Sequence, residues 1–190
     1  MPYACRGSGA VVDGAVRWVD GGRRKMDTPA AWLLLDVAGV GCALPSVAVR
    51  EILPLPRLHA APASGGPLVG LLNLGGAPIP VIDLAQLLGL RGAAPDLDPY
   101  RHIVLLDADA VALLVDRVDD LVRVAPDAVR AVAPDRSLNG CVESEFAHAT
   151  RLVHALDPAR LLSAEEVARV RAFARDAERR LAAFPAVSAA

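Results

Sequence analysis

The stretch Gly70-Leu71-Leu72-Asn73-Leu74-Gly75-Gly76-Ala77-Pro78-Ile79-Pro80-Val81-Ile82-Asp83-Leu84 limits the possible folds more than any other part of the chain. It reads as an apolar strand, a tight turn, a second apolar strand and a helix-capping aspartate. The Gly75-Gly76 pair supplies the positive φ that a two-residue hairpin turn requires. Asp83 is placed to accept hydrogen bonds from the first free amides of a short helix, Leu84–Leu88. No residue of the segment stands in an evident setting for an acid, base or nucleophile, which points toward binding rather than reaction.

Short strands punctuated by Gly, Pro and Asp extend on both sides. Trp32–Val37 and Val40–Leu44 predict a hairpin, and Pro45–Arg50 a turn or single helical turn. Glu51–Leu55 returns to extended structure, with Pro54 and Pro56 marking an edge or bend. His59–Pro67 and Gly92–Pro99 read as loops. His102–Leu106 and Val111–Val115 predict another hairpin across Asp107-Ala108-Asp109, followed by a strand over Val118–Val124. Ala125–Leu138 is turn-rich, Val142–Phe146 and Thr150–Leu156 form a further strand pair, and Asp157-Pro158 opens a helical turn. The apolar run from Ala30 to Val49 is long enough to raise a membrane span. Asp36, Gly39, Gly41 and Pro45 break it into two strands of ordinary length instead.

The two halves echo one another. Leu35-Asp36 with Ala43-Leu44 resembles Leu106-Asp107 with Leu113-Leu114, and the aspartates lie 71 positions apart. Asp83-Leu84-Ala85-Gln86-Leu87-Leu88 resembles Asp157-Pro158-Ala159-Arg160-Leu161-Leu162 at an offset of 74. Matching order and nearly equal offsets point to duplication, hence to two small barrel-like lobes that limit exposed edges. A final helix runs from Ser163 to about Phe184. Ser163 with Glu166 fits a capping box, and Leu162, Val167, Val170, Phe173 and Ala174 supply an apolar stripe that Leu181 and Phe184 extend.

Residues 1–28 differ: they are rich in Gly and Arg, lack a sustained period and carry Arg23-Arg24-Lys25. They read as a flexible tail or as a start codon assigned too early. The chain is 190 residues long, 54% hydrophobic and only 4% aromatic, so its core must be aliphatic. A net charge of −2 lacks the basic excess of a nucleic-acid binder. Cys5, Cys42 and Cys141 are too scattered for a disulfide framework or zinc site, and fit a reducing cytoplasm.

Catalytic and ligand-binding constellations are absent from the spacing. His59, His102, His148 and His154 fall in no recognisable motif, and no P-loop, H-E-x-x-H or paired C-x-x-C occurs. Asp119-Asp120 superficially suggests the acidic pair of a phospho-accepting receiver. The only lysine, Lys25, stands in the wrong place for that chemistry, so the pair reads as a solvated strand start. No metal, cofactor or catalytic residue is expected, and a small hydrolase using His102 or His154 is the enzymatic alternative.

The ordered motifs resemble the CheW-type chemotaxis coupling proteins, the CheW-like domain family. Val49-Arg50-Glu51-Ile52 is similar to the family's V-x-E-I strand. Gly70–Leu74 through Ile79–Leu84 resembles its G-x-x-N-L-R-G…h-P-h-h-D-L signature, where h is apolar. Val115-Asp116-Arg117-Val118 resembles V-D-x-V, and Leu156-Asp157 with Leu161-Leu162 resembles the closing D-x-x-x-L-L. The resemblance runs from Trp32 to Glu166 and implies a mainly β domain over 29–168. That domain would hold two intertwined five-stranded SH3-like barrel lobes with short helices, followed by a C-terminal helix over 163–184. It also implies a non-catalytic cytoplasmic adaptor without membrane insertion. Its partners would be the regulatory domain of a CheA-type histidine kinase and the cytoplasmic tips of methyl-accepting chemoreceptors. Carried over by motif, the receptor-binding candidates are Glu51, Asn73, Leu74, Gly75, Val115, Asp116 and Val118. The kinase-binding candidates are Ile79, Pro80 and Val81. One position departs from the pattern: the family commonly has Arg where this chain has Gly75. That departure raises an alternative, a divergent paralogue that binds kinase without coupling receptors.

Overall fold

A computed structural model describes residues 29–60, 66–92, 98, 100–107, 111–133 and 137–183. The expected tail over 1–28, with Cys5 and Lys25, lies outside the described residues, as do Asp109 and Phe184. Among the described residues, eleven strands and two α-helices follow in order. They are β1 (Ala30–Val37), β2 (Val40–Pro45), β3 (Val49–Pro54), β4 (Leu68–Leu74), β5 (Ala77–Asp83) and α1 (Leu84–Leu87). After these come β6 (His102–Leu106), β7 (Ala112–Val115), β8 (Arg117–Val124), β9 (Arg130–Ala131), β10 (Val142–His148), β11 (Arg151–Leu156) and α2 (Ala164–Ala183). Single 3-10 turns at Ser46–Ala48 and Pro158–Arg160 occupy the positions where helical turns are predicted.

Two mainly antiparallel sheets result. The first has six strands in the order β8-β1-β2-β11-β10-β9, and the second five in the order β3-β6-β7-β5-β4. Exchanging β1, β2, β3, β4 and β5 for β6, β7, β8, β10 and β11 turns the first five strands of one order into the other. The repeat read from Asp36/Asp107 and Asp83/Asp157 is therefore a repeat of topology. The halves are swapped, however: each sheet takes its central hairpin from one half and its other strands mostly or wholly from the other half. The ladders give two sheets and show no closed barrel among the described residues. The two-residue β9 adds a sixth strand to one sheet, and neither ladder closes on itself among the described residues. In the second sheet a lone bridge, His59 to Leu71, links the chain after β3 back to β4 at the far edge.

Three apolar clusters explain why the strands read as near-continuous hydrophobic runs. Leu33, Leu35 and Val37 of β1 meet Val104, Leu113 and Val115 of the other sheet in a shared core. Trp32 and Leu34 turn the other way, into a core with Phe146 and Val153. Leu72, Ile79, Val81, Ile103 and Leu114 form the matching inner core of the second sheet. Alternation along each strand thus sends successive side chains into two different cores, so an odd and an even position can both be buried.

Turn chemistry sets the hairpin registers. Gly75 and Gly76 have φ of +60° and +93°, the mirror-image geometry that suits a right-twisted hairpin. The β1–β2 turn uses Ala38 (φ +53°) and Gly39 for the same purpose. Asp83 accepts from the amides of Ala85 (2.9 Å) and Gln86 (3.2 Å), as its position before α1 predicts. Ser163 and Glu166 form the reciprocal capping box at the start of α2.

Candidate functional site

The chain passes from one sheet to the other through Asp116, which joins β7 to β8. Its backbone amide donates to the Asp36 carbonyl at 3.1 Å. Its carboxylate accepts from the Ala38 amide at 2.6 Å, holding the left-handed β1–β2 turn of the first sheet. The same carboxylate receives the Arg91 guanidinium at 2.9 Å. Arg101 Nε lies 3.0 Å from Asp116 Oδ1, close enough for an ion pair, although no aligned hydrogen bond forms there. Arg101 then reaches Asp83 Oδ2 at 3.1 Å.

Asp83, Arg101, Asp116 and Arg91 form one ionic network at the sheet junction. Arg101 is only 2% exposed and Asp83 is fully buried. Two buried charges are tolerated there because each faces an opposite charge and Arg101 Nη2 donates to Asp83, although Arg101 Nε and Nη1 find no hydrogen-bond partner. Burial alone would raise the Asp116 carboxyl. The Arg91 hydrogen bond, the Ala38 amide and the charges of Arg101 and Arg91 outweigh it and hold the group below the usual carboxylate range.

The predicted receptor-facing residues divide into three settings. Glu51 is exposed on the edge strand β3, opposite Leu105, beside the exposed Ile52. It has no ion-pair partner among the described residues. Asn73 and Gly75 are exposed at the β4–β5 turn, where the Asn73 carboxamide accepts from the Gly76 amide at 2.9 Å. Leu74 is half-buried against the inner core of the second sheet. Val115 is fully buried, Val118 packs on the intersheet core, and Asp116 belongs to the ionic network. The ladder pairs Val118 with Leu35 of β1, while Asp116 bonds to Asp36 and Ala38 and Val115 packs on the shared core from the other sheet. It sets Glu51 and Asn73 on opposite edges of the second sheet.

Ile79, Pro80 and Val81, the predicted kinase-facing residues, are all buried. Ile79 and Val81 point into the inner core, and β5 is packed against α2. Sequence reasoning missed Arg91 and Arg101. The available signal was an arginine set directly before the apolar strand His102–Leu106, a place where a buried charge demands a carboxylate partner.

The histidines stand in strand and turn positions. His154 Nδ1 on β11 lies 2.9 Å from the Glu145 carboxylate on β10, a cross-strand pair. His102 opens β6 opposite Val115. Burial pushes the Cys42 thiol up to about 12, with the Asp36 charge adding to the effect. Among the described residues, no group of His, Cys, Asp or Glu could hold a metal ion, and no helix is long and apolar enough to cross a membrane.

Comparison with known proteins places this geometry. The CheW-like domain family model matches residues 31–166. A protein described as a probable chemotaxis protein CheW, from Rhizobium etli, is 34% identical over 104 residues, 53% of this chain and 63% of that protein. Chemotaxis protein CheW of Rhizobium meliloti is 31% identical over 104 residues, with the same shares of each chain. The chain thus spans 63% of the length of these curated relatives. The crystal structure of scaffolding protein TtCheW from Thermoanaerobacter tengcongensis shares the fold, with a TM-score of 0.64 at 17% identity, covering 77% of this chain and 96% of that one. With the family pattern spanning both sheets and the junction between them, this chain belongs to the CheW-like domain family.

Proposed function

We propose that this chain is a non-catalytic adaptor of the cytoplasm that holds a CheA-type histidine kinase to the tips of chemoreceptors. The observation that supports this most is the family match over residues 31–166, which takes in both sheets and the ionic junction between them. A two-sheet scaffold tied through one buried network suits a protein that holds two partners in a fixed relation without turnover. In this reading Glu51, Asn73 and Gly75 contact the receptor directly, because they are exposed. Val115, Asp116 and Val118 act from beneath by fixing the surface shape. Ile79, Pro80 and Val81, buried on β5, would shape the kinase-facing surface from within.

Titration calorimetry with the purified kinase regulatory domain and a receptor-tip fragment tests the reading. Both should bind with Kd of tens of micromolar or tighter, about −6 to −7 kcal/mol. Absence of heat with either partner at that concentration would refute it.

Gly75 favours a second reading, a paralogue that binds kinase but does not couple receptors. Arginine would bring a rigid donor fork and a positive charge to the exposed β4–β5 turn. No atom lies within 4 Å of a Cβ built on Gly75, so the larger side chain has room. If Gly75→Arg creates receptor binding that the native chain lacks, the second reading holds. Equal receptor binding by both proteins discards it.

A further inference from the structure

The Asp119-Asp120 pair stands on β8, the terminal strand of the first sheet, and no described strand pairs with its outer flank. We propose that β8 is a guarded self-association edge. Two copies of this chain pair their β8 strands antiparallel about Leu121, and the Asp120 carboxylate opposes that pairing by holding the Leu121 amide. The inference is independent of the receptor and kinase assignments.

A terminal strand offers backbone groups to any strand that reaches it, and folded proteins blunt such edges with charges and bulges. Strand β8 carries both. Its pairing with β1 steps from Asp120 opposite Leu34 to Val118 opposite Leu35, which leaves Asp119 as the extra residue of a bulge. The Asp119 carboxylate lies 3.6 Å from Arg151. Asp120 is used differently: its Oδ1 accepts from the amide of Leu121 at 2.7 Å. A side chain thereby occupies a backbone donor of the terminal strand, and an incoming carbonyl must displace it.

What the carboxylate guards is apolar. Leu121 is 60% exposed, whereas Leu33, opposite it on β1, is buried in the intersheet core. Leu121 thus carries an apolar row out to the open edge, where one more strand would cover it. The strand also matches itself. In an antiparallel pair centred on Leu121 the two leucines meet, Val118 faces Val124, and the Asp119-Asp120 end of each copy lies against the Arg123 end of the other. Arg123 is exposed and has no ion-pair partner among the described residues. Opposite charges across a strand pair favour it and like charges oppose it. Neighbouring registers are poorer: centring on Asp120 sets two carboxylates together, and centring on Val122 sets each leucine against an arginine. A two-fold pair of this kind closes as a dimer.

Sedimentation of the full chain over a wide concentration range tests the proposal. Asp120→Ala frees the Leu121 amide and should tighten the dimer about tenfold over the native chain. Adding Leu121→Lys, which opposes two ammonium groups at the two-fold, should return the protein to monomer. Adding Arg123→Glu instead should loosen the dimer again. All three side chains are exposed, so circular dichroism and the urea midpoint should stay near the native values. Hydrogen exchange should protect the Leu121 amide only as dimer forms. Equal association of the native chain and Asp120→Ala overturns the proposal, as does a dimer that survives Leu121→Lys. Protection of the Leu121 amide in an Asp120→Ala monomer also overturns it, because the chain's own residues then cover the edge.

Discussion

Asp83→Ala tests whether the ionic network at the sheet junction holds the fold together. The Asp83 side chain is fully buried, with one oxygen accepting from the Ala85 and Gln86 amides and the other 3.1 Å from Arg101. Losing the cap should cost about 1 kcal/mol. Leaving a buried charge without its partner costs about 3–5 kcal/mol when no other partner remains. Arg101 is 2% exposed but keeps Asp116 within 3.0 Å, so its desolvation is only partly uncompensated. A total near 4 kcal/mol follows, a large share of the roughly 5–15 kcal/mol that holds a domain folded. Urea unfolding monitored by circular dichroism should show a lower midpoint at unchanged m-value. Adding Arg101→Leu to the variant should recover part of the loss, because the stranded guanidinium is then gone. A cost below about 1 kcal/mol for Asp83→Ala would refute the account, as would a double variant whose loss equals the sum of the two singles.

Three further expectations follow from the same geometry. Ala38 holds φ of +53° in the β1–β2 turn, so Ala38→Gly should raise the urea midpoint by the equivalent of about 1 kcal/mol through relief of left-handed strain. The Asp116 carboxyl lies below its unfolded value of about 3.9, so its contribution is present at neutral pH and is lost as pH falls below about 4 toward the folded value. Asp116→Asn should flatten that acid limb in pH-dependent melting. It should not abolish it, since hydrogen bonds from Ser163 also hold Glu166 low. Cys42, buried and pushed up to about 12, should react with a thiol reagent at pH 8 far more slowly in the native protein than in denaturant, as read by peptide mass spectrometry.

Local chemistry was legible in the sequence wherever a residue type has one dominant use. Gly75-Gly76 announced its turn, Asp83 its cap, and Ser163 with Glu166 its capping box. The repeat of Asp36 in Asp107 and of Asp83 in Asp157 was legible too. Which strands would pair was not, because hydrophobic pattern alone does not say that β1 and β2 join β11 rather than β3. The same limit hid the burial of Ile79, Pro80 and Val81. A strand covered on both faces looks in sequence like a strand that offers an apolar surface. Asp116 matched a family motif, yet its setting depends on Arg91 and Arg101, 25 and 15 positions earlier in the chain. Long-range ion pairs leave no periodic trace, so only the folded arrangement shows that this aspartate works inside the junction.

Binding of two partners at once is the most direct test of the adaptor account. The native chain should bridge a CheA-type kinase regulatory domain and a receptor-tip fragment in one complex, read by analytical ultracentrifugation with the three components mixed. Glu51→Lys should remove the receptor fragment from that complex while kinase binding and the melting temperature stay unchanged. A native chain that forms only binary complexes, or a Glu51→Lys protein that bridges both partners as the native chain does, would contradict it.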